Sequence, residues 1–130
     1  MPALTISRLA REAGVGVETV RYYQRIGLLE EPPKPAEGYR VYPGQALSRL
    51  QFIARAKELG FTLNEIKELL LLDNADCQQT QEIAGQKLQS IHARIHDLTA
   101  MAETLEHLLR SCQGHATTAA CPIIDSLNKP

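Results

Sequence analysis

Three cysteines, Cys77, Cys112 and Cys121, are the residues best equipped for chemistry in this 130-residue chain. Thiolates are soft, electron-rich donors. Three of them on one ion suit Hg(II), Pb(II) or Cd(II), whereas Zn(II) wants a fourth ligand. His115 and Asp76 stand near enough in sequence to supply one, although both read more simply as loop residues. The N-terminus, Met-Pro-Ala-Leu-Thr-Ile-Ser-Arg, has no apolar leader, so a cytoplasmic, reducing setting is expected, and an odd thiol count there disfavours a disulfide framework. The other thiol chemistry open at this point is redox regulation through a Cys77–Cys112 bond between two chains. No Ser-His-Asp cluster, phosphate loop or paired-carboxylate motif accompanies the thiols, so no enzyme is expected. His92, His96 and His107 read as helix-surface residues.

The elements that must hold the thiols follow from the apolar spacing. Ala84, Leu88, Ile91, Ile95, Leu98, Ala102, Leu105 and Leu109 recur every three or four residues, the seam of a coiled coil. No proline falls between Pro43 and Pro122 to break the helix. Cys112 is the next seam position after Leu109, and Cys77 lies seven residues before Ala84. Thirty-five residues of helix separate the two, roughly 50 Å at about 1.5 Å per residue, so one straight chain cannot bring them together. So long a helix with a narrow apolar seam needs a partner, and a homodimer is the natural one. In a parallel pair each cysteine meets its own copy. In an antiparallel pair Cys77 of one chain lies beside Cys112 of the other. A nine-residue loop after Cys112 can return Cys121 to the same place, and Pro122 can open a last short helix through Ile123, Ile124 and Leu127.

The formal net charge of −1 conceals a split. Residues 1–57 carry nine bases and five acids, a sum of +4, and residues 58–130 carry five bases and ten acids, a sum of −5. All four tyrosines fall in the basic half. Such asymmetry points to a nucleic-acid-facing half and a half with another task. Apolar residues at 44% and charged residues at 22% describe an ordinary globular chain, and no apolar run approaches a membrane span.

The basic half has a pattern to match. Thr5 can cap a short helix whose Ile6, Leu9, Ala10 and Ala13 share one face, and Gly14-Val15-Gly16 breaks it. A second helix from Val17 to Ile26 turns Val20 and Tyr23 inward and leaves Thr19, Arg21, Tyr22 and Arg25 largely available. Two short helices on a glycine turn form a helix-turn-helix, whose second helix enters a DNA major groove. After the helix-incompatible loop at 30–38, Tyr39-Arg40-Val41-Tyr42 alternates with a period of two. That predicts a short β ribbon with Arg40 and Tyr42 on one face, a wing able to grip phosphate. A third helix from about Gln45 to Leu59 and a fourth after the capping-box pattern Thr62-Leu63-Asn64-Glu65 complete the hairpin behind them.

Over essentially its whole length the chain resembles the MerR family of metal-responsive transcriptional regulators. The likeness is carried by Ile6 to Ala13, by Gly14-Val15-Gly16-Val17-Glu18-Thr19-Val20-Arg21-Tyr22-Tyr23, by Gly27-Leu28-Leu29, by Tyr39-Arg40-Val41-Tyr42, and by Leu59 to Ile66. The resemblance implies an all-α fold with a small β wing: a winged helix-turn-helix DNA-binding domain over residues 1–72, an antiparallel coiled-coil dimerisation helix over 73–111, and a metal-binding loop with a short helix over 112–130. It implies operator double-stranded DNA and RNA polymerase as partners, no membrane, and repression without metal turning to activation by operator distortion with it. The expected DNA contacts are Val17, Thr19, Arg21, Tyr22, Tyr23, Arg40 and Tyr42. The expected metal ligands are Cys77, Cys112 and Cys121, shared between two subunits. Family sensors of monovalent copper place Ser where this chain has Cys77, so the effector is expected to be divalent. The run Cys121-Pro122-Ile123-Ile124 resembles the mercury-responsive members, with Pb(II) and Cd(II) the alternatives. One departure is Arg110, where mercury regulators carry a further Cys.

Overall fold

A computed structural model describes residues 3–72, 74–113 and 121–130. The chain falls into two compact units, residues 1–83 and 84–130. In the first, α1 (Ile6–Ala13) starts where the Thr5 hydroxyl accepts the Arg8 N–H at 3.4 Å. It stops at Gly14, whose φ of 73° is a left-handed conformation that costs glycine little. Helix α2 (Val17–Arg25) follows after Gly16 and ends at Ile26. Helices α3 (Gly44–Glu58) and α4 (Leu63–Leu70) form the second hairpin. At the start of α4, Thr62 and Glu65 each accept the other's backbone N–H, the reciprocal cap that the sequence pattern predicts.

One core holds this unit together. Leu9, Val20, Leu28, Leu50, Ile53 and Ile66, drawn from every helix and the α2 exit, are essentially sealed from solvent. α1 packs on α2 and α3, and α3 packs on α4. Burying a leucine or isoleucine side chain contributes roughly 1.5–3 kcal/mol, so these few residues set the relative positions of α1 to α4.

The predicted β ribbon is not present: among the described residues there is no strand. Tyr39–Tyr42 does alternate, with Tyr39 and Val41 outward and Tyr42 inward. A ladder, however, needs donors on both sides. The neighbouring segment contains Pro32, Pro33 and Pro35, which have no N–H to give. Side-chain contacts and one backbone bond hold the segment instead. Arg40 donates to the Pro32 carbonyl at 3.0 Å and pairs with Glu31 at 3.1 Å, and the Tyr42 N–H reaches the Leu4 carbonyl at 2.8 Å.

A 3₁₀ turn at Asn74–Asp76 leads into α5 (Cys77–Gln113), a single helix of 37 residues that enters the second unit. None of its residues is buried. Leu88, Ile95, Leu98, Leu105 and Leu109 are all more than half exposed. Helix α6 (Pro122–Leu127) closes the chain, with Pro122 at its first position and Cys121 as its cap residue. The loop expected to carry the chain back from Cys112, with Gly114 and His115, lies outside the described residues.

Candidate nucleic-acid interface and thiol centre

Helix α2 divides its residues by its own periodicity. Val20 and Tyr23 face the core, Val17 packs against it, and Thr19 is half-buried. Arg21, Tyr22 and Arg25 face out. Arg21 is held by Glu18 one turn earlier at 3.4 Å, an exposed pair that a nucleic-acid anion can displace at little cost. The Arg25 guanidinium lies 5.6 Å from the centre of the Tyr22 ring, which fixes both side chains on one face.

Between α2, the start of α1 and the 39–42 segment runs a groove of about 800 Å³, lined by Thr5, Ser7, Arg21, Gln24, Arg25, Glu31, Tyr39, Arg40 and Tyr42 among others. Four of its lining residues carry charge, three of them arginines. Arg40 lines the groove without the expected ribbon, its guanidinium engaged by Glu31 and Pro32. Tyr42 differs from expectation. Its ring is 4% exposed, and its hydroxyl accepts from the Gln24 side chain, so it braces the 39–42 segment against α2. Gln24, Thr5 and Ser7 were not among the expected site residues. Their place follows from chain segments meeting far apart in sequence, which local pattern does not record.

The thiols divide between the two units. Cys77 opens α5 in the first unit, exposed, with the Gln81 amide 3.9 Å from its sulfur. Asp76 ends the 3₁₀ turn before it. In the second unit lie Cys112 and Cys121, both half-buried, near enough for each thiol to shift the other's acidity. Their acidities move apart. Burial, then the neighbouring Cys121, pushes Cys112 above the ordinary thiol value. The backbone N–H groups of Ile124 and then Ile123, at the start of α6, hold Cys121 below it. Two neighbouring thiols, one biased towards thiolate, fit a thiophilic ion. Among the described residues no three His, Cys, Asp or Glu side chains of the chain gather into one cluster.

A model of MerR helix-turn-helix family regulatory proteins matches residues 4–72, and a second, for the family's DNA-binding region, matches residues 47–108. The chain belongs to the MerR family. It is 42% identical over 125 residues to a protein named "Mercuric resistance operon regulatory protein" from Serratia marcescens, covering 95% of this chain and 87% of that one. Among solved structures, it is similar to the regulator PbrR691 from Ralstonia metallidurans CH34 in complex with lead(II). There the TM-score is 0.82 at 33% identity, over 95% of this chain and 98% of the other. It is also similar to the dual-function regulator MerR from Bacillus megaterium MB1 in complex with mercury(II), with a TM-score of 0.75 at 38% identity over 97% and 99%. As a MerR-family member this chain is a DNA-binding transcriptional regulator responsive to metal. The α2 face and its groove lie within the matched helix-turn-helix region.

Proposed function

We propose that this chain is a mercury(II)-responsive regulator that represses a metal-resistance promoter without metal and activates it, with RNA polymerase, when Hg(II) binds. The observation that carries this reading is Cys112 beside a thiolate-biased Cys121 at the end of α5 and the start of α6. The relatives named for mercuric resistance support it. Cys77 of one protomer joins Cys112 and Cys121 of its partner in an antiparallel homodimer. The exposed apolar side chains along α5 support that assembly, because no described residue of their own chain buries them. Thr19, Arg21 and Tyr22 touch the major groove, Arg40 holds phosphate, and Val17, Tyr23 and Tyr42 keep the reading face in shape. Distorting an operator costs a few kcal/mol. A metal whose ligands assemble in only one relative geometry of two chains can bias such an equilibrium by the roughly 1–3 kcal/mol typical of allosteric coupling.

The lead-bound structural neighbour favours a second reading, a Pb(II)- or Cd(II)-responsive regulator with the same site. A promoter reporter challenged with Hg, Pb, Cd and Zn salts separates the two. Induction led by Hg(II) at the lowest dose is expected, and induction led by Pb(II) or Cd(II) replaces mercury with that ion.

A further inference from the structure

The carboxyl end of α2 is held by a cation from another helix. Lys67, in the last turn of α4, places its Nζ 3.2 Å from the carbonyl oxygen of Ile26, the residue that ends α2, 41 positions away in sequence. Gly27 makes room for it. Its φ is +82°, and a Cβ there would stand 3.3 Å from the Lys67 nitrogen and 3.7 Å from its Cε. A second cation, Arg49 of α3, reaches the Leu28 carbonyl at 3.4 Å. The end of a helix carries partial negative charge, so both contacts are attractive. The helix's own terminal base, Arg25, lies over the Tyr22 ring instead.

The position of Lys67 gives the contact a direction. α4 packs against α3. Beyond the core they share, α4 meets the end of α2 through this hydrogen bond. Past Lys67 the chain completes α4 at Leu70, passes the 3₁₀ turn and reaches Cys77, ten residues on and within the same compact unit. A residue that answers an ion at one end of this short connector and a recognition helix that reads DNA at the other are thereby linked through one side chain.

We propose that Lys67 is a positioning residue that ties the tilt of the recognition helix to the α4–Cys77 connector, so that metal capture at Cys77 is felt at the DNA-reading face. The inference rests on the assignment of Cys77 as a ligand. An ordinary helix cap would contribute only stability; a tie of this kind contributes coupling.

The test uses the full-length protein on a plasmid carrying its operator, and compares wild type with Lys67→Met, which keeps the aliphatic stem and removes the donor, and with Lys67→Arg, which keeps the cation. Two readouts are taken: operator Kd without metal, and the change in plasmid linking number on adding Hg(II). In Lys67→Met the Hg(II)-dependent untwisting falls by about three- to tenfold, while operator Kd moves by less than about threefold. Lys67→Arg restores the response, and direct Hg(II) titration gives the wild-type affinity in all three proteins. Full untwisting in Lys67→Met overturns the proposal. So does a loss of operator affinity that accounts for the whole defect, which would make Lys67 a plain cap or a phosphate contact. A wild-type protein that binds the operator but leaves its twist unchanged with Hg(II) overturns the mercury reading and this coupling together, and shows itself before any substitution is made.

Discussion

Leu50 in α3 and Leu98 in α5 are the same residue on the same kind of apolar stripe, yet Leu50 is 2% exposed and Leu98 62%. Every fully buried residue described lies between Leu9 and Ile66, and none lies in α5. The first unit thus seals a core within one chain, by folding four short helices around one another, although Val41, Leu59 and Leu71 stay more than half exposed. The second presents the same chemistry outward. The difference lies in helix length and loop spacing rather than in composition. Short helices joined by glycine turns can fold back on each other, whereas a helix of 37 residues cannot reach itself. One region keeps its shape within one chain, whereas the other leaves its apolar stripe exposed.

Substitutions that separate the two regions test this contrast. The largest effect is expected from Leu50→Ala, which leaves a cavity in the sealed core and should cost the first unit about 2–5 kcal/mol in urea denaturation. Leu98→Ala should leave that transition in place and instead shift sedimentation towards monomer. If both variants destabilise the same transition equally, the two regions are not independent. Next, Cys77→Ser should weaken Hg(II) binding by about 3 kcal/mol, roughly a hundredfold in Kd, in a competition titration under reducing conditions. An unchanged Kd would confine the site to Cys112 and Cys121. Arg21→Ala should weaken operator binding by about 1–3 kcal/mol, seen as lost footprint protection, with the dimer intact. Wild-type protection persisting in this variant would move the reading face off α2.

The smallest effect sharpens the thiol pair. Because Cys121 is held below the ordinary thiol value and Cys112 above it, Cys121 gains thiolate first as pH rises. Iodoacetamide should label Cys121 before Cys112 in a pH series read by mass spectrometry. In stability terms the depressed Cys121 favours the folded form above the unfolded thiol's pKa, and that contribution is lost as pH falls through its folded value. The reverse labelling order would make Cys112 the more acidic thiol of the two.

Much of this was legible in the sequence because the signals are local. Thr5 and the Thr62–Glu65 box mark helix starts by side chains that reach three residues ahead, and the observed caps use those atoms. The boundaries of α2 and α3 moved by a residue, as helix ends fray. The α5 stripe was legible because spacing alone decides which residues share a face, although Met101, 60% exposed among them, was not counted in it. The 39–42 segment misled because alternation records which way side chains point and says nothing about whether a neighbour can donate. Three prolines decided that question. The Tyr42–Gln24 bond and the Lys67–Ile26 bond span 18 and 41 residues. No periodicity reaches so far.

A helix that buries nothing in its own chain has one further property. In the proposed homodimer its stability is inseparable from the concentration of its partner. For α5 in that dimer, dilution acts as a denaturant, while the sealed core around Leu50 is indifferent to it. The number of copies in a cell therefore enters the behaviour of the thiol end directly, as a variable on the same footing as the dose of metal.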